Sequence, residues 1–173
     1  MHKLVFSRRN LGQLMSCLSV VMVAGCATRP ASRPASRPAS RLRSAQSERA
    51  ASDVAGYALS LVNSPYVWGG RDAGTGFDCS GLVSHVYLQA AGIALRGSAA
   101  SMAKAAQPVN AAEVLAGDLV FFNTLGRAFS HVGVYVENGR FVHASNERTG
   151  VRVDRLDSKY YAARFEGART LLG

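Results

Sequence analysis

Hydrophobic residues recur at helical spacing in two stretches of the middle of the chain. The first stretch places them on one face: Val54, Tyr57, Ala58, Leu61 and Val62. The second stretch does the same with Leu82, Val83, Val86, Tyr87 and Ala90. A residue before proline avoids helical geometry, and glycine commonly follows the end of a helix. We therefore expect the first helix to end before Pro65 and the second before Gly92.

The second half of the chain changes to the pattern of β-strands. Short apolar or alternating runs occupy residues 119–122, 130–137, 140–145, 151–153 and 168–172. The dipeptide Asn138-Gly139 separates two of these runs, as the turn of a β-hairpin does. Residues 99–106 fit a short helix, and residues 160–165 fit a loop or short helix. Helices followed by a run of strands predict an α+β fold.

The N-terminus carries a predicted export signal. Residues 1–25 join a basic start to an apolar stretch that is too short for a comfortable membrane span of about 20 residues. The motif Val23-Ala-Gly-Cys26 resembles the lipobox of bacterial lipoproteins, whose cysteine is lipidated and becomes the N-terminus. We predict a lipid anchor on Cys26, with a plainly cleaved signal as the alternative. Ala27 replaces the aspartate associated with inner-membrane retention, which favours the outer membrane facing the periplasm.

A low-complexity segment follows Cys26. Residues 29–41 repeat Arg-Pro-Ala-Ser three times and close on arginine, a composition that cannot bury a core. We predict a tether over residues 26–49 and one folded domain over residues 50–173. The formal charge of +9 suggests a nucleic-acid binder, but from Asp53 onward eleven basic and ten acidic residues leave only +1. We therefore expect no nucleic-acid partner.

Cys79 is the cysteine that remains in the folded domain, since Cys17 lies in the predicted signal and Cys26 begins the predicted tether. Asp78 is a preferred N-cap residue, so Cys79 should occupy the first turn of the second helix. Free backbone amides and the positive end of the helix dipole favour a thiolate there. The alternative is an inert core thiol, because free cysteine is often buried.

The four histidines differ in their ability to serve Cys79. His2 leaves with the leader, and His85 lies about 9 Å along the same helix and about 120° around it, too far to meet the thiol. His131 and His143 fall on the two strands of the predicted hairpin. Their cooperation therefore depends on the register of that hairpin.

Two loop lengths give two different registers. A two-residue Asn138-Gly139 loop in a regular hairpin sends the two histidines to opposite faces. A three-residue loop, Glu137-Asn138-Gly139, pairs Val136 with Arg140 and places both histidines on one face as diagonal neighbours. We predict the three-residue loop.

These residues suit thiol catalysis. It needs a nucleophile, an imidazole that takes and returns its proton, and a polar group that orients the imidazole. We assign these catalytic roles to Cys79, His131 and His143 respectively. The same residues could hold zinc by ligand type, but they lack the close-spaced ligand pairs common in zinc sites. We therefore expect neither a metal nor an organic cofactor.

Over residues 54–172 the chain resembles the NlpC-type cell-wall cysteine peptidases, a bacterial family with a papain-like core. The resemblance rests on five motifs in order: Tyr66-Val-Trp-Gly-Gly70, Asp78-Cys-Ser-Gly-Leu82, Gly117-Asp-Leu-Val-Phe-Phe122, His131-Val-Gly-Val-Tyr135 and Phe141-Val-His-Ala-Ser145. It implies N-terminal helices packed on a small antiparallel β-sheet, with the nucleophilic cysteine at a helix N-terminus.

The resemblance implies the same catalytic trio and a substrate cleft. Tyr66 would lie at the edge of the catalytic centre, near the oxyanion, and Asp78 and Ser80 would line the cleft. One segment departs from the family pattern. Many relatives carry Leu-Pro-Arg followed by Ser or Thr, and later a glutamine, where this chain has Leu95-Arg-Gly-Ser98 and Met102.

The resemblance also implies a function. It predicts a peptidoglycan endopeptidase that hydrolyses an amide of stem or cross-link peptides through a thioester, so that peptidoglycan peptides are the expected partner. Two alternatives keep the same fold. One is a wall-binding lipoprotein without turnover, and the other is a transferase that passes the acyl group to an amine or a lipid.

Overall fold

The structure is a computed structural model that describes residues 43–173. The helices are α1 (Ala45–Ser60), α2 (Cys79–Ala91), α3 (Ala99–Ala105) and α4 (Lys159–Ala162). The strands are β1 (Arg71–Asp72), β2 (Gly76–Phe77), β3 (Gln107–Val109), β4 (Leu119–Phe122), β5 (His131–Glu137), β6 (Arg140–Asn146), β7 (Gly150–Arg155) and β8 (Phe165–Thr170). The predicted signal peptide, Cys26 and most of the predicted tether lie outside the described residues. Within residues 43–173, no helix is long and apolar enough to cross a membrane.

The folded part begins earlier than the predicted boundary at residue 50. Ser44 caps α1 by accepting a hydrogen bond from the backbone N–H of Ser47. The side chain of Arg43 is buried and forms an ion pair with Asp118 at 2.5 Å. The predicted tether over residues 26–49 therefore extends too far, because Arg43 and the N-cap residue Ser44 belong to the folded part.

Six strands form one antiparallel sheet in the order β3-β8-β4-β5-β6-β7, and β1 and β2 form a separate small pair. The α+β fold is confirmed, with helices preceding most of the strands. The last strand begins at Phe165 rather than at the predicted residue 168. It passes between β3 and β4, so the C-terminal segment of the domain is part of the sheet interior.

The sheet buries apolar side chains on both faces. On one face, aliphatic residues of β4, β5 and β6 pack with α1, α2 and α3. On the other face, a smaller aromatic group contains Phe122, Phe141 and Tyr161. Fully burying one such side chain contributes about 1.5–3 kcal/mol, so both faces hold the sheet in place.

The β5–β6 turn differs from the predicted three-residue loop. Glu137 pairs with Arg140, which leaves Asn138 and Gly139 as a two-residue turn. Both turn residues have positive φ, 52° and 71°, as a type I′ turn requires. The prediction of a three-residue loop is therefore wrong.

The register predicted for the body of the hairpin is nevertheless confirmed. Val134 pairs with Val142, as the three-residue loop would have required. The pairing shifts between Tyr135 and Glu137, because Val136 is one extra residue on β5. This β-bulge compensates for the shorter turn, so His131 and His143 still lie on one face.

Candidate active site

The start of α2 fixes the position of Cys79. Asp78 caps the helix: its Oδ1 accepts hydrogen bonds from the Gly81 N–H at 2.6 Å and from the Ser80 hydroxyl at 2.9 Å. Its other oxygen accepts from the Gly69 N–H at 3.1 Å. The thiol of Cys79, the first helical residue, is half-buried.

The loop before α2 lies directly on its first turn. A Cβ added at Gly81 would come within 1.8 Å of the Gly70 carbonyl oxygen, and one at Gly70 within 2.4 Å of the Gly76 carbonyl oxygen. The backbone N–H of Asp78 donates to the same Gly70 carbonyl at 3.0 Å. Glycine is required at these contacts because the backbones approach too closely for any side chain.

The two hairpin histidines are in direct contact. His131 Nε2 lies 2.7 Å from His143 Nδ1, with the two rings nearly perpendicular. The His143 ring is fully buried, and it also packs on Phe141 with 4.8 Å between ring centroids. The predicted diagonal arrangement of the histidines is confirmed.

Gly133 makes this contact possible. A Cβ at position 133 would lie 2.7 Å from Phe141 Cδ2, 2.8 Å from the Val142 carbonyl oxygen and 3.2 Å from His143 Cβ. The missing side chain leaves the space that the rings on the neighbouring strand occupy. The His-Val-Gly motif therefore has a steric reason as well as a chemical one.

Asp154, which was not predicted from the sequence, continues the series of contacts beyond His143. Its Oδ2 lies 3.0 Å from His143 Nε2, and its Oδ1 accepts a hydrogen bond from Arg152 Nη2 at 2.7 Å. The prediction ended this strand at Val153, whereas β7 continues to Arg155. Alternation from Arg152, which pairs with His143, would have placed Asp154 on the same face.

Cys79 and His131 line one cleft of about 200 Å³. The predicted substrate-binding residues Tyr66, Asp78 and Ser80 line it as well. The remaining lining residues are Trp68, Ser98, Ala99, Thr124, Leu125, Arg127, Ser130 and Ser145. His143 lies behind His131 and does not line the cleft. His85 is also outside the cleft; it is half-buried and hydrogen-bonds to the Tyr57 hydroxyl at 3.1 Å.

The segment that departs from the family pattern contributes to the cleft only in part. Ser98 lines the cleft, while Met102 is fully buried in the core between α3 and the sheet. The cleft is also lined by side chains that were not predicted from the sequence as site residues. Trp68 is 74% exposed and Leu125 is 56% exposed, and both line the cleft together with Arg127.

The charge state of Cys79 differs from the expectation based on its helix position. Burial and the adjacent Asp78 carboxylate raise the pKa of the thiol to about 11, although the backbone amides of Val132 and Ser80 oppose this shift. The capping carboxylate occupies the Gly81 amide of the first turn, and its negative charge lies beside the thiol. Together with burial, this charge outweighs the stabilisation that the remaining amides offer a thiolate.

The histidines are also held in their neutral forms. Burial and the neighbouring His143 lower the pKa of His131 to about 3. Burial likewise lowers the pKa of His143, against the opposing effect of Asp154. A thiolate or an imidazolium alone is therefore disfavoured. The charged forms become accessible together, when the thiol proton moves to His131 and the two charges attract each other in a poorly solvated site.

The zinc alternative gains no support from the geometry. Among residues 43–173, no three His, Cys, Asp or Glu side chains are arranged to hold a metal ion. His131 Nε2 and His143 Nδ1 form a hydrogen bond with each other instead.

Comparison with known proteins gives a consistent result. The sequence model of the NlpC/P60 family matches residues 63–170. The murein DD-endopeptidase MepH of Escherichia coli is 35% identical over 131 residues, which cover 74% of this chain and 48% of that protein. The bifunctional muramidase/DL-endopeptidase CwlT of Bacillus subtilis is 42% identical over 106 residues, which cover 60% of this chain and 31% of that protein.

The fold has solved counterparts as well. The structure of the peptidoglycan hydrolase RipB from Mycobacterium tuberculosis matches with a TM-score of 0.62 and 29% identity, over 78% of this chain and 70% of that one. The chain spans less than half the length of the two curated relatives, 48% and 31%.

Proposed function

This chain belongs to the NlpC/P60 family, and on that basis we propose that it is a peptidoglycan endopeptidase that hydrolyses an amide bond in stem or cross-link peptides. Cys79 is the nucleophile, His131 the general base and His143 the residue that orients the base. The observation that carries the proposal is the 2.7 Å contact between His131 and His143 beside a cleft that His131 shares with Cys79.

The reaction begins with proton transfer from the Cys79 thiol to the ring nitrogen of His131 that does not face His143. The sulfur attacks the substrate carbonyl carbon, and the resulting tetrahedral intermediate collapses to a thioester as the C–N bond breaks. His131 returns its proton to the departing amine. A water molecule, deprotonated by His131, then hydrolyses the thioester and restores the thiol.

Tyr66 is suited to stabilise the oxyanion. Burial and the nearby Cys79 raise the pKa of its hydroxyl, so the group stays protonated and can donate a hydrogen bond. Asp78 and Ser80 line the same cleft and offer polar contacts to a peptide. These residues are proposed to bind the substrate while Cys79 reacts.

The test is digestion of purified muropeptides by the full chain, followed by mass spectrometry. We expect new fragments whose masses identify the cleaved bond, which is needed because the two curated relatives are named for different bonds, DD and DL. Hydrolysis gives fragments whose summed mass exceeds that of the substrate by one water molecule, whereas transfer gives a fragment joined to another amine. Cys79→Ser should reduce product formation by at least about 10³-fold. Fragments that Cys79→Ser forms at the wild-type rate would refute the mechanism, and an intact muropeptide pool would refute the function.

We also propose that the domain is tethered by a lipid on Cys26 to the outer membrane, facing the periplasm. The motif Val23-Ala-Gly-Cys26 and the following Ala27 support this proposal. The 16 residues between Cys26 and Arg43 would reach about 50 Å as an extended proline-rich segment at 3.1 Å per residue. Inhibition of lipoprotein signal peptidase should cause an unprocessed precursor to accumulate, and normal processing under inhibition would refute the anchor.

A further inference from the structure

We propose that Asp154 is a positioning residue that fixes the tautomers of both histidines, so that His131 presents an unprotonated Nδ1 to the Cys79 thiol. The inference rests on the proposed function, because it specifies how the base of that reaction is prepared. Asp154 does not line the cleft, so it would act through His143 and His131 rather than on the substrate.

The first step is the contact between Asp154 and His143. Asp154 Oδ2 lies 3.0 Å from His143 Nε2, and a carboxylate can only accept hydrogen bonds. The Tyr161 hydroxyl approaches the same nitrogen at 3.4 Å, which is longer and lacks the charge of the carboxylate. His143 therefore carries its proton on Nε2.

The second step follows from the neutrality of His143. Its burial lowers its pKa, so the ring holds a single proton at neutral pH. With that proton on Nε2, the lone pair of Nδ1 faces His131 at 2.7 Å and must accept. His131 then carries its own proton on Nε2. Because burial also keeps His131 neutral, its Nδ1 is left with a lone pair for the thiol proton.

The carboxylate is maintained by its other neighbours. Arg152 Nη2 donates to Asp154 Oδ1 at 2.7 Å. Burial raises the pKa of Asp154, but the hydrogen bond from His143 and the charges of His143 and Arg152 outweigh this effect and lower it. The Tyr161 hydroxyl, which hydrogen-bonds to Ser145, also approaches His143. The Asp154 carboxylate, which is the last acceptor in this series of hydrogen bonds, is therefore charged at neutral pH.

The strand pairing explains why this position can serve. On β7, Arg152 pairs with His143 and Asp154 pairs with Phe141. Asp154 is therefore a diagonal neighbour of His143 on the same face of the sheet. His131 on β5 is a diagonal neighbour of His143 on that face too, so β6 lies between the two. Three adjacent strands thus contribute one residue each to a continuous chain of hydrogen bonds.

The decisive variant is Asp154→Asn. Arg152 donates to Oδ1, so it should hold the carbonyl oxygen of the new asparagine and turn its NH₂ group toward His143. His143 Nε2 would then have to accept a hydrogen bond from this NH₂ group, so the proton of His143 would move to Nδ1. His143 Nδ1 would donate to His131, whose Nε2 would have to accept. The proton of His131 would then stand on Nδ1, where a base needs a lone pair. In a serine protease, the corresponding change at the residue that orients the base lowers kcat by about 10⁴ through the wrong tautomer.

The direct test is nitrogen NMR of the full chain with ¹⁵N-labelled histidine rings, since protonated and bare ring nitrogens have distinct shifts. We expect protons on Nε2 of both His131 and His143 in the wild type, and on Nδ1 of both in Asp154→Asn. Asp154→Glu should keep the wild-type tautomers, because it restores an acceptor. A wild-type proton on His131 Nδ1 would overturn the proposal even if no Asp154 variant folds.

The kinetic test uses the cleavage assay. We expect Asp154→Asn to lower kcat by about 10²- to 10⁴-fold, the upper end being the loss seen when the wrong tautomer is imposed in a serine protease, with KM changed less than about twofold. Asp157→Asn is the matched control, because Asp157 pairs with Arg155 on the surface and should leave kcat unchanged. Equal kcat for both variants would overturn the proposal. The tautomers remain measurable if the chain cleaves no muropeptide, so failure of the proposed function is distinguishable from failure of this inference.

Discussion

The two faces of the β5–β6 hairpin are both largely buried but depend on different interactions. On the helix side, the hairpin presents four fully buried aliphatic residues: Val132, Val134, Val142 and Ala144. On the other side, His143 is also fully buried and His131 is 8% exposed. Alternate residues of the same two strands therefore form a hydrophobic core on one face and a hydrogen-bonded site on the other.

The difference lies in what each face requires. The aliphatic face is stabilised by non-directional burial, so residues of similar volume can replace one another at small cost. The histidine face contains polar rings whose burial is unfavourable unless each nitrogen is satisfied. His143 meets that requirement through its contacts at 2.7 Å to His131 and 3.0 Å to Asp154, with a longer approach of the Tyr161 hydroxyl at 3.4 Å. Register is therefore critical, because a one-residue slip would exchange the two faces.

Single-residue deletions in β5 should have the largest effect on this arrangement. Deletion of Val134 shortens the strand between the bulge and His131, so the histidine would turn to the aliphatic face. We expect loss of the cooperative unfolding transition, or a folded protein without detectable activity. Circular dichroism during urea unfolding and the cleavage assay measure these outcomes.

Deletion of Val136 is the matched control. Val136 is the extra residue of the bulge, so its removal leaves Tyr135 opposite Phe141 and Glu137 opposite Arg140 in a regular hairpin. We expect a stability loss of about 2 kcal/mol from the lost valine burial, with activity retained. Equal damage from the two deletions would contradict the role assigned to the bulge.

The hairpin also shows how much could be predicted from the sequence. Alternation identified both faces and the register, because the hydrophobic pattern has a period of two. The turn was predicted wrongly, since the pattern near the tip cannot distinguish a three-residue loop from a two-residue turn with a bulge. Asp154 was missed because the end of β7 carries no apolar signal, so the strand was predicted to end at Val153.

The catalytic roles of Cys79, His131 and His143 remain predictions, although the structure brings these residues to one site. The expected stabilisation of a Cys79 thiolate by the helix start did not take into account Asp78. The same aspartate that predicts the start of α2 places a carboxylate beside the thiol and raises its pKa. A motif therefore specifies the backbone position of a group more reliably than its charge.

A side chain at Gly133 should have the next largest effect. Gly133→Ala places a Cβ 2.7 Å from Phe141 Cδ2 and 2.8 Å from the Val142 carbonyl oxygen, so the strands must separate. We expect a stability loss of about 1–3 kcal/mol and at least about 10-fold lower activity, because the His131–His143 contact lengthens. Urea unfolding and the cleavage assay measure the two effects.

The control is Gly56→Ala in α1, where a Cβ meets nothing within 4 Å. Alanine is about 1 kcal/mol more favourable than glycine inside a helix, so this variant should be slightly stabilised and fully active. A stable and fully active Gly133→Ala protein would contradict the requirement for close packing on the histidine face.

Acid should lower the stability of the protein through the histidine face alone. The pKa of His131 is lowered from 6.5 to about 3 in the folded protein. Below pH 6.5 the unfolded chain binds a proton that the folded protein does not, so stability falls as the pH decreases toward 3. At pH 4.5 this loss amounts to about 2–3 kcal/mol for His131 relative to neutral pH. The lowered pKa of His143 acts in the same direction.

Two variants separate the faces in urea unfolding at pH 7.5 and 4.5. His131→Gln removes the titrating ring, so its stability should change less with pH, and its deficit relative to the wild type should shrink or reverse in acid. Val142→Ala removes a buried aliphatic group from the other face, and its deficit should be the same at both pH values because the loss involves no proton. Parallel pH profiles for the wild type and His131→Gln would mean that His131 is not held neutral by burial. The difference between the two faces would then be one of geometry alone.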